Sequence, residues 1–334
     1  MKLGLGILGT SNVAAKYIES GRNVPSLEII GVYSRSPERA ARFAHDHGLS
    51  LATSDLNKLL DHPSVNCVLV ATEPARHLEL ALAALHRNKH TLIEKPLSLD
   101  LLSVKDFYMQ IKNLEVITSV VSQKRFDPAL QKMKEQIETL SDDPVLIDVK
   151  DFKYRDSSYY THGNGWRNTD SHYFLNQGIH WIDVLLWFWG DPISVKSFCT
   201  PKQRSLGCSD RGVAVIRWSN GSLATVSGGS FSHNFKHERL TVYGTHGTIN
   251  DRDYVAKSQG RWSRIFERAM ATGFQSFRAD TLFDLQVADF CSAIRESRPP
   301  QTTVENSIRA LNVALSVEGL IEYSPNVGLE LECS

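Results

Sequence analysis

Two stretches of the sequence carry residue types suited to acid–base chemistry. The first is HTLIEKPLSLD, in which an apolar run ends in Glu94-Lys95-Pro96. Lys95 would follow a strand, and open parallel sheets bind their ligands at the carboxyl ends of the strands. Pro96 favours extended backbone angles at Lys95, which restricts the direction in which the Lys95 ammonium group points. A solvated lysine in a surface turn is the alternative, and Lys-Pro alone would favour it.

The second stretch is NQGIHWID, residues 176–183, which continues as VLLWFWG. If it is helical, Asn176, His180 and Asp183 fall on one face at i, i+4 and i+7. The side chains expected to pack into the domain on the opposite face are Trp181, Val184, Leu185 and Phe188. A buried His180–Asp183 pair is the structural alternative. Three polar groups on one side of an apolar helix favour a functional site, since burying them unpaired costs free energy.

A glycine turn comes near the start of the chain. Gly9-Thr10-Ser11-Asn12-Val13-Ala14 matches the dinucleotide fingerprint GxGxxG/A, with Ser11 in place of the second glycine. Gly9 permits the tight turn, Ala14 permits close packing, and the helix N-terminus offers N–H groups to a pyrophosphate. Ser11 adds a side chain near the phosphates. The pattern is weak alone, but its place at the first turn of a βαβ unit predicts a dinucleotide site.

The end of the second predicted strand bears on the choice of cofactor. It reads YSRSP, residues 33–37, with Arg39 one turn further on, and no carboxylate occurs before Glu38. An acidic residue here favours the ribose 2′-hydroxyl, whereas arginine favours a 2′-phosphate. Ser34 and Arg35 therefore favour NADP(H) over NAD(H). An ordinary helix cap at Ser36 beside a solvated arginine is an alternative compatible with this interpretation.

Strand and helix alternate through the first third of the chain and would position these residues. The predicted strands are 3–8, 27–34, 65–71, 91–94 and 116–121, and the predicted helices are 12–20, 37–47, 74–87 and 99–111. Repeated βα units imply a parallel sheet with right-handed crossovers. We therefore predict an α/β protein with a doubly wound Rossmann domain at residues 1–122.

Beyond Gln123 the pattern changes to one helix and then alternating strands. The helix runs to about residue 140, and the strands are 145–154, 194–199, 212–218, 222–230 and 239–243. Hairpin turns are predicted at Asn220-Gly221 and at residues 244–247. Residues 123–334 thus form a second α/β domain with a large, mostly antiparallel open sheet. Its broad face needs a cover of helices or another subunit, so we expect a homodimer or homotetramer.

Composition narrows the classes of partner. The chain has 334 residues, is 42% hydrophobic and 22% charged, and balances 37 basic against 37 acidic side chains. No overall field therefore favours nucleic acid or an anionic membrane. The apolar run at the N-terminus is short, and no stretch reaches the roughly 20 apolar residues of a membrane span. Five scattered cysteines without a CxxC pair argue against disulfides and metal. We expect a soluble cytoplasmic protein.

These motifs together resemble the Gfo/Idh/MocA oxidoreductases over essentially the whole chain. The glycine turn, Glu94-Lys95-Pro96, Gly178-x-His180-x-x-Asp183 and the segment 290–311 occur in the family's order, and the second and third are the specific part. The resemblance implies an N-terminal Rossmann domain that binds NAD(P). It also implies an α/β domain that binds substrate and forms oligomers, with C-terminal helices at 280–297 and 304–321 packing back near the first domain.

The resemblance also implies residue roles. Lys95 corresponds to the catalytic lysine, His180 to the active-site histidine and Asp183 to the substrate-binding aspartate. TEPARH, residues 72–77, corresponds to a TPNxxH stretch near the nicotinamide, with Glu73 and Pro74 replacing the usual pair. Asn176 stands where many polyol dehydrogenases carry aspartate. Because asparagine cannot ionise, proton transfer falls to His180 or Lys95.

The resulting assignments form two sets. The predicted cofactor-binding residues are Gly9, Thr10, Ser11, Asn12, Val13, Ser34, Arg35, Arg39, Ala71, Thr72, His77, Glu94 and Lys95. The predicted substrate-binding residues are Lys95, Gln123, Arg167, Asn176 and Asp183, with Gln123 where many members place asparagine.

Residues near Asn176 bear on the substrate. Asn176, preceded by Tyr159-Tyr160 and Trp166-Arg167, resembles the branch that acts on sugars and nucleotide-linked sugars, including UDP-aminosugar uronates. Arg155 and Arg167 would meet an anionic substrate group or else lie on the surface. The segment 259–277, rich in arginine and aromatic residues, would cover the active site, or form an exposed loop or an interface.

The expected chemistry is hydride transfer between a nicotinamide and a sugar-like secondary alcohol or ketone. Oxidising a carbinol requires loss of the hydroxyl proton, so a base must lie within hydrogen-bond reach of that oxygen. We assign His180 as this acid/base and Lys95 as the group that polarises the oxygen and hydrogen-bonds the cofactor ribose. A sensor that binds NAD(P) without turnover is the alternative. The presence of Lys95, His180 and Asp183 together argues against it, since a sensor needs no proton donor.

Overall fold

The computed structural model describes residues 2–138, 143–161, 165–200, 207–232, 237–245, 247–250, 254–256, 279–325 and 327. It divides into two compact units, one comprising residues 1–126 and 277–308 and the other 127–276 and 309–333. The segment 259–277 lies outside the described residues. Within the described ranges, no helix combines the length and hydropathy that a membrane crossing requires.

A six-stranded parallel sheet forms the centre of the first unit. Its strands are β1 (Leu3–Leu8), β2 (Leu27–Tyr33), β3 (Leu51–Thr53), β4 (Cys67–Val70), β5 (His90–Ile93) and β6 (Thr118–Val120). They lie in the order β3-β2-β1-β4-β5-β6, and every neighbouring pair is parallel. This is a doubly wound order, whose two halves diverge from β1 and β4. The predicted Rossmann architecture is confirmed.

Short helices connect these strands. They are α1 (Asn12–Asn23), α2 (Pro37–Asp46), α3 (Leu56–Leu60), α4 (His77–Leu85) and α5 (Leu101–Ile111). Side-chain caps open several of them, with Ser36 before α2 and Asp100 before α5. β3 and α3 were not predicted, because elements this short show no measurable periodicity. The helix predicted at 74–87 begins as a 3₁₀ turn at Pro74–Arg76 before α4.

A helix from the C-terminal part of the chain completes the core of the first unit. This helix, α10 (Ala279–Glu296), contacts α1, and its Phe283 ring packs edge-on against Tyr17 with centroids 5.0 Å apart. Phe290 is buried in the same apolar cluster. Division by contacts therefore places 279–308 with the first unit, whereas the sequence boundary at 122/123 places them in the second domain.

The second unit is built on a seven-stranded sheet. Its strands are β7 (Leu146–Phe152), β8 (Ser194–Cys199), β9 (Arg211–Arg217), β10 (Leu223–Gly229), β11 (His237–Gly244), β12 (Gly247–Asn250) and β13 (Tyr254–Ala256). They lie in the order β13-β12-β11-β7-β10-β9-β8, and only the β7–β10 pair is parallel. The predicted turn between β9 and β10 is present, with Gly221 at φ +88°. The mostly antiparallel sheet is confirmed.

Helices and one π-helical turn accompany this sheet. They are α6 (Pro128–Glu138), α7 (Ser157–Thr161), α8 (Trp166–Asp170), the π turn Phe174–Gly178, α9 (Ile179–Trp189) and α11 (Val304–Val317). The division between the units falls within α11, after Ile308. One face of the sheet remains open to solvent. On β9, Ala214 and Ile216 are buried while Val213 and Val215 are exposed, and Phe198 on β8 is 89% exposed.

Candidate active site

The glycine turn joins β1 to α1 at the carboxyl edge of the parallel sheet. Gly9 has φ +123°, and a Cβ there would lie 2.5 Å from the Ala71 carbonyl oxygen. Only glycine fits this approach of two backbones. The predicted tight turn is therefore present, directly beside the end of β4.

Ser11 lies at the start of α1. Its hydroxyl donates to the Ala71 carbonyl at 2.9 Å and accepts from the Ala14 N–H at 3.3 Å, so it caps α1. The backbone N–H groups of Asn12 and Val13 have no acceptor among the described residues. No acidic side chain occupies the first turn of α1. Exposed amides at a positive helix end suit an anionic pyrophosphate.

The end of β2 carries both the helix cap and the exposed arginine that the sequence suggested. Ser36 caps α2 by accepting from the Arg39 N–H at 3.2 Å and donates to Glu38 at 2.7 Å, a bond that lowers the pKa of the Glu38 carboxyl. The Ser34 hydroxyl accepts from the Ser36 N–H at 3.4 Å. Arg35 is exposed and forms an ion pair with Glu73, with Nη2 and Oε1 2.8 Å apart.

Lys95 lies directly beyond the end of β5, as predicted, and is half-buried. Its backbone N–H donates to the Glu94 carboxylate at 3.0 Å, and the Lys95–Pro96 peptide is cis. Glu94 is 6% exposed; burial raises the pKa of its carboxyl, against the opposing effect of the Lys95 charge. Burial, followed by the charge of Glu94, raises the pKa of the Tyr17 hydroxyl. A cation and a poorly solvated carboxyl thus meet at the sheet edge.

His77 holds the segments that follow β4 and β5. Its ring is buried, with Nδ1 2.9 Å from the Pro96 carbonyl oxygen and Nε2 3.1 Å from the Thr72 carbonyl oxygen. Burial lowers the pKa of His77 even though both carbonyls favour its charged form. Its side chain therefore fixes the Thr72 segment beside the Lys95 segment.

Gln123 begins a 3₁₀ turn after β6. Its Oε1 atom is buried and accepts no hydrogen bond from the described residues. Buried amide oxygens are seldom left without a donor. The position is consistent with a residue that completes its hydrogen bonds with a ligand.

The second unit places Asn176 and His180 on different kinds of helix. Asn176 lies in the π turn and His180 in α9, so the predicted i, i+4, i+7 face is interrupted by the wider turn. Asn176 and His180 are half-buried, whereas Asp183 is 4% exposed. The buried Glu318 carboxylate accepts from the Phe174 N–H at 2.7 Å and so secures the first residue of this turn.

Asn176 is held from several sides. Its Nδ2 donates to the Tyr159 hydroxyl at 2.5 Å and also to Ser171, while its Oδ1 accepts from Gln177 at 3.3 Å. The other end of the Gln177 amide accepts from Lys153 Nζ at 3.1 Å. An ammonium group can only donate, so this chain of contacts fixes which way both amides point.

Lys153 is the centre of a buried charged cluster that sequence analysis missed. Its Nζ lies 3.2 Å from Asp151 and 2.9 Å from Glu238, and Asp151 also accepts from the Tyr173 hydroxyl at 2.8 Å. Burial opposes the charged form of Lys153, but the two carboxylates outweigh it and raise its pKa. The alternation along β7 could have indicated this cluster, since Asp151 falls on the same inward face as Ile147 and Val149 and a buried carboxylate needs a partner.

Two arginines stack on Tyr159. Arg155 and Arg167 place their guanidinium carbons 4.9 and 5.1 Å from the centre of its ring, and Arg167 also lies 4.6 Å from that of Trp166. Guanidinium groups stacked in this way keep their N–H edges available for an anion. The predicted residues Arg167 and Asn176 are therefore linked through Tyr159.

The predicted catalytic residues belong to different units, with Lys95 in the first and His180 in the second. Within the first unit, the residues that follow β1, β2, β4 and β5 meet at one sheet edge. Across the described part of the chain, no group of histidine, cysteine, aspartate or glutamate side chains is arranged to hold a metal ion.

Comparison with known families matches both units. Residues 3–122 match a family described as an oxidoreductase family with an NAD-binding Rossmann fold. Residues 143–250 match the GFO/IDH/MocA C-terminal domain. The two matches follow the order that the sequence motifs predict.

Individual relatives cover nearly the whole chain. A myo-inositol 2-dehydrogenase of Thermotoga maritima is 23% identical and covers 98% of each chain. A 1,5-anhydro-D-fructose reductase of Ensifer adhaerens is 24% identical and covers 93% of this chain and 94% of its own. The crystal structure of the WlbA dehydrogenase from Bordetella pertussis with NADH and UDP-GlcNAcA superposes with a TM-score of 0.84 at 20% identity, covering 96% and 95%.

Proposed function

Because this chain belongs to the Gfo/Idh/MocA family of NAD-binding oxidoreductases, we propose that it transfers hydride between a nicotinamide cofactor and a sugar or polyol. The reacting group is a secondary alcohol or ketone, in a free or nucleotide-linked sugar. The relatives support this class: two are named for inositol and for an anhydrosugar, and the crystal structure of a third contains a UDP-linked sugar.

The observation that carries the proposal is the carboxyl edge of the parallel sheet. Its Gly9 turn, the available amides of Asn12 and Val13, and Lys95 at the end of β5 fit a dinucleotide. When bound, the nicotinamide accepts or supplies the hydride. Arg35 would hold a 2′-phosphate, so NADP(H) is the favoured cofactor, with NAD(H) as the alternative.

The remaining chemistry falls to side chains of this protein. His180 moves the proton of the substrate hydroxyl, since its reference pKa of about 6.5 suits both directions. Lys95 polarises the reacting oxygen. Asn176 does not take part in proton transfer, because its amide cannot ionise and is already held by Tyr159 and Gln177. Asn176 instead positions the substrate, together with Arg167, Gln123 and Asp183.

Cofactor binding is the first test. The protein is titrated with NADPH and NADH separately, and the fluorescence of the reduced nicotinamide is followed. Binding of at least one, with turnover of a keto-sugar or polyol, supports the enzyme. Binding without turnover across a broad panel of inositols, sugars and UDP-sugars points to the sensor, and binding of neither contradicts the proposal.

The acid–base assignment has a separate test. We expect His180→Ala to lower kcat by about 10² to 10⁴ and to remove the corresponding limb of the pH–rate profile. His180→Gln, which keeps hydrogen bonding without titration, controls for lost contacts. A modest loss of rate with an unchanged pH profile would show that His180 is not the acid/base.

We also propose that the protein is a homo-oligomer assembled through the open face of the seven-stranded sheet. Exposed apolar side chains support this proposal, and they belong to adjacent strands: Leu146, Phe198, Val213, Val215 and Leu223. A contiguous apolar patch on a sheet usually marks a contact surface. Sedimentation velocity measures the assembly, and a monomer at micromolar concentration would contradict it.

A further inference from the structure

One ion pair spans the edge of the parallel sheet where the cofactor is expected. Arg35 follows β2 and Glu73 follows β4, and β1 lies between those strands. The two residues are 38 positions apart in sequence, yet Nη2 and Oε1 are 2.8 Å apart. Their contact therefore crosses the strand end that leads into the Gly9 turn.

The two partners are anchored differently. Glu73 directly precedes the 3₁₀ turn, and its carbonyl accepts from the Arg76 N–H at 3.0 Å. The carbonyl of Thr72, one residue earlier, lies 3.1 Å from the buried His77 ring. Arg35 is more exposed and extends from a loop toward it. The backbone that carries Glu73 is thus anchored, whereas Arg35 reaches the carboxylate from a more exposed position.

The two carboxylates nearest in sequence to Arg35 and Glu73 have other partners. Glu38 accepts from the Ser36 hydroxyl, and Glu79 pairs with Arg76 at 2.7 Å. Glu73 is therefore the carboxylate in contact with Arg35. Rossmann proteins commonly read the adenine ribose with an acidic residue at the end of β2 for a 2′-hydroxyl, or an arginine there for a 2′-phosphate. In this chain the end of β2 supplies only the arginine, and the acid comes from the end of β4.

We propose that Glu73 is a specificity-determining residue, which reads the 2′-position of the cofactor jointly with Arg35. This inference rests on the proposed binding of NAD(P). A 2′-phosphate binds Arg35 and is repelled by Glu73. A 2′-hydroxyl instead donates a hydrogen bond to Glu73, while Arg35 neutralises the charge of that carboxylate. The pair thereby reduces, without reversing, the preference for NADP(H) that Arg35 alone would give.

Reciprocal variants test this assignment by binding alone. The dissociation constants of NADPH and NADH are measured by fluorescence titration at low and high salt. We expect Glu73→Gln to raise the preference for NADPH roughly five- to tenfold by removing one nearby negative charge. Arg35→Gln shifts the preference toward NADH by a similar factor. Both shifts shrink at high salt, since the pair is partly exposed.

Glu79→Gln is the matched control. It removes a carboxylate and an ion pair from the adjacent helical turn without touching Arg35, and we expect the preference to stay within about twofold of the unaltered protein. If Glu73→Gln leaves the preference unchanged or shifts it toward NADH while both cofactors still bind, the inference is wrong and the proposed function stands. If the unaltered protein binds neither cofactor, the proposed function fails as well.

Discussion

The two sheets of this protein position polar groups by opposite means. In the parallel sheet, β4 is buried throughout, and the chemical groups lie beyond the strand ends, as Gly9 and Lys95 do. In the seven-stranded sheet, polar and charged groups lie on the strands themselves, as Asp151 does on β7. A sheet covered on both faces leaves only its edges for polar residues.

This difference determines what stabilises the polar groups of each sheet. At the edge of the parallel sheet they depend on backbone geometry: a glycine at positive φ, a capped helix and a buried histidine between two carbonyls. In the seven-stranded sheet, the cluster around Lys153 depends on buried charges that must remain paired. We therefore expect substitutions in the two clusters to differ in size and in their response to pH.

Removing the ammonium group of Lys153 should have the largest effect. Lys153→Met leaves Asp151, which is 1% exposed, without its ion pair, and we expect a loss of about 3–5 kcal/mol in the free energy of unfolding. Lys150→Met, on β7 shortly before Lys153, removes a more exposed pair with Asp148 and should cost at most about 1 kcal/mol. Urea titration measures both. Equal losses would show that the cluster does not depend on the buried charge.

Gly9→Ala should have the next largest effect. Positive φ and the 2.5 Å approach to the Ala71 oxygen together should cost about 2–4 kcal/mol in the free energy of unfolding. Gly165→Ala is the control, since Gly165 also has positive φ but a Cβ there would meet no atom of the described residues within 4 Å, and it should cost about 1–2 kcal/mol. Thermal unfolding of both variants separates the clash from backbone strain. A loss no larger at Gly9 would mean that β1 and β4 move apart easily.

His77 should give the first unit a distinct pH response. Its folded pKa lies below the unfolded value of about 6.5, so the unfolded chain binds more protons as pH falls. This contribution to stability is present above that value and is lost on acidification, by up to about 1.4 kcal/mol per pH unit. His77→Gln removes it. Urea titrations from pH 7.5 to 5 should therefore show a shallower decline in the variant, and parallel declines would contradict the assignment.

Phe198→Asp should have the smallest effect on a protomer and a selective effect on assembly. Because Phe198 is exposed, we expect a change within about 0.5 kcal/mol in the stability of the protomer. A charge on the open face should nevertheless lower the oligomer mass seen by sedimentation velocity. Leu102→Asp, at a residue 69% exposed on α5, is the control and should leave the mass unchanged. If both variants assemble like the unaltered protein, Phe198 is outside the interface.

Local patterns predicted the parts of the site that depend on neighbouring residues in sequence. The turn at Gly9, the cap at Ser36 and the place of Lys95 after β5 were all predicted correctly, because each depends on a strand end or a helix start. The prediction that Asn176 lies on a regular α-helical face was wrong, because Asn176 belongs to the π turn. A π-helix usually occurs as a single turn, which is too short to be recognised in the hydrophobic periodicity.

Local patterns could not predict contacts between residues that are distant in sequence. Glu73 was recognised only as a departure from a motif, and its contact with Arg35 depends on strand order. Lys153 was not singled out, although alternation along β7 put a charge at an inward position. Its partner Glu238 lies on β11, and which strand pairs with β7 is fixed by the whole sheet.

The sequence by itself determined the family, the alternation of strands and helices, and the residue types that carry the chemistry. These follow from local preferences and from motifs within a few residues. Only the tertiary structure decided that Ser11 caps a helix, that His77 joins two strand ends, and that Arg35 meets Glu73. Such contacts depend on which strands lie side by side, and that order results from burying the apolar surface of the whole unit.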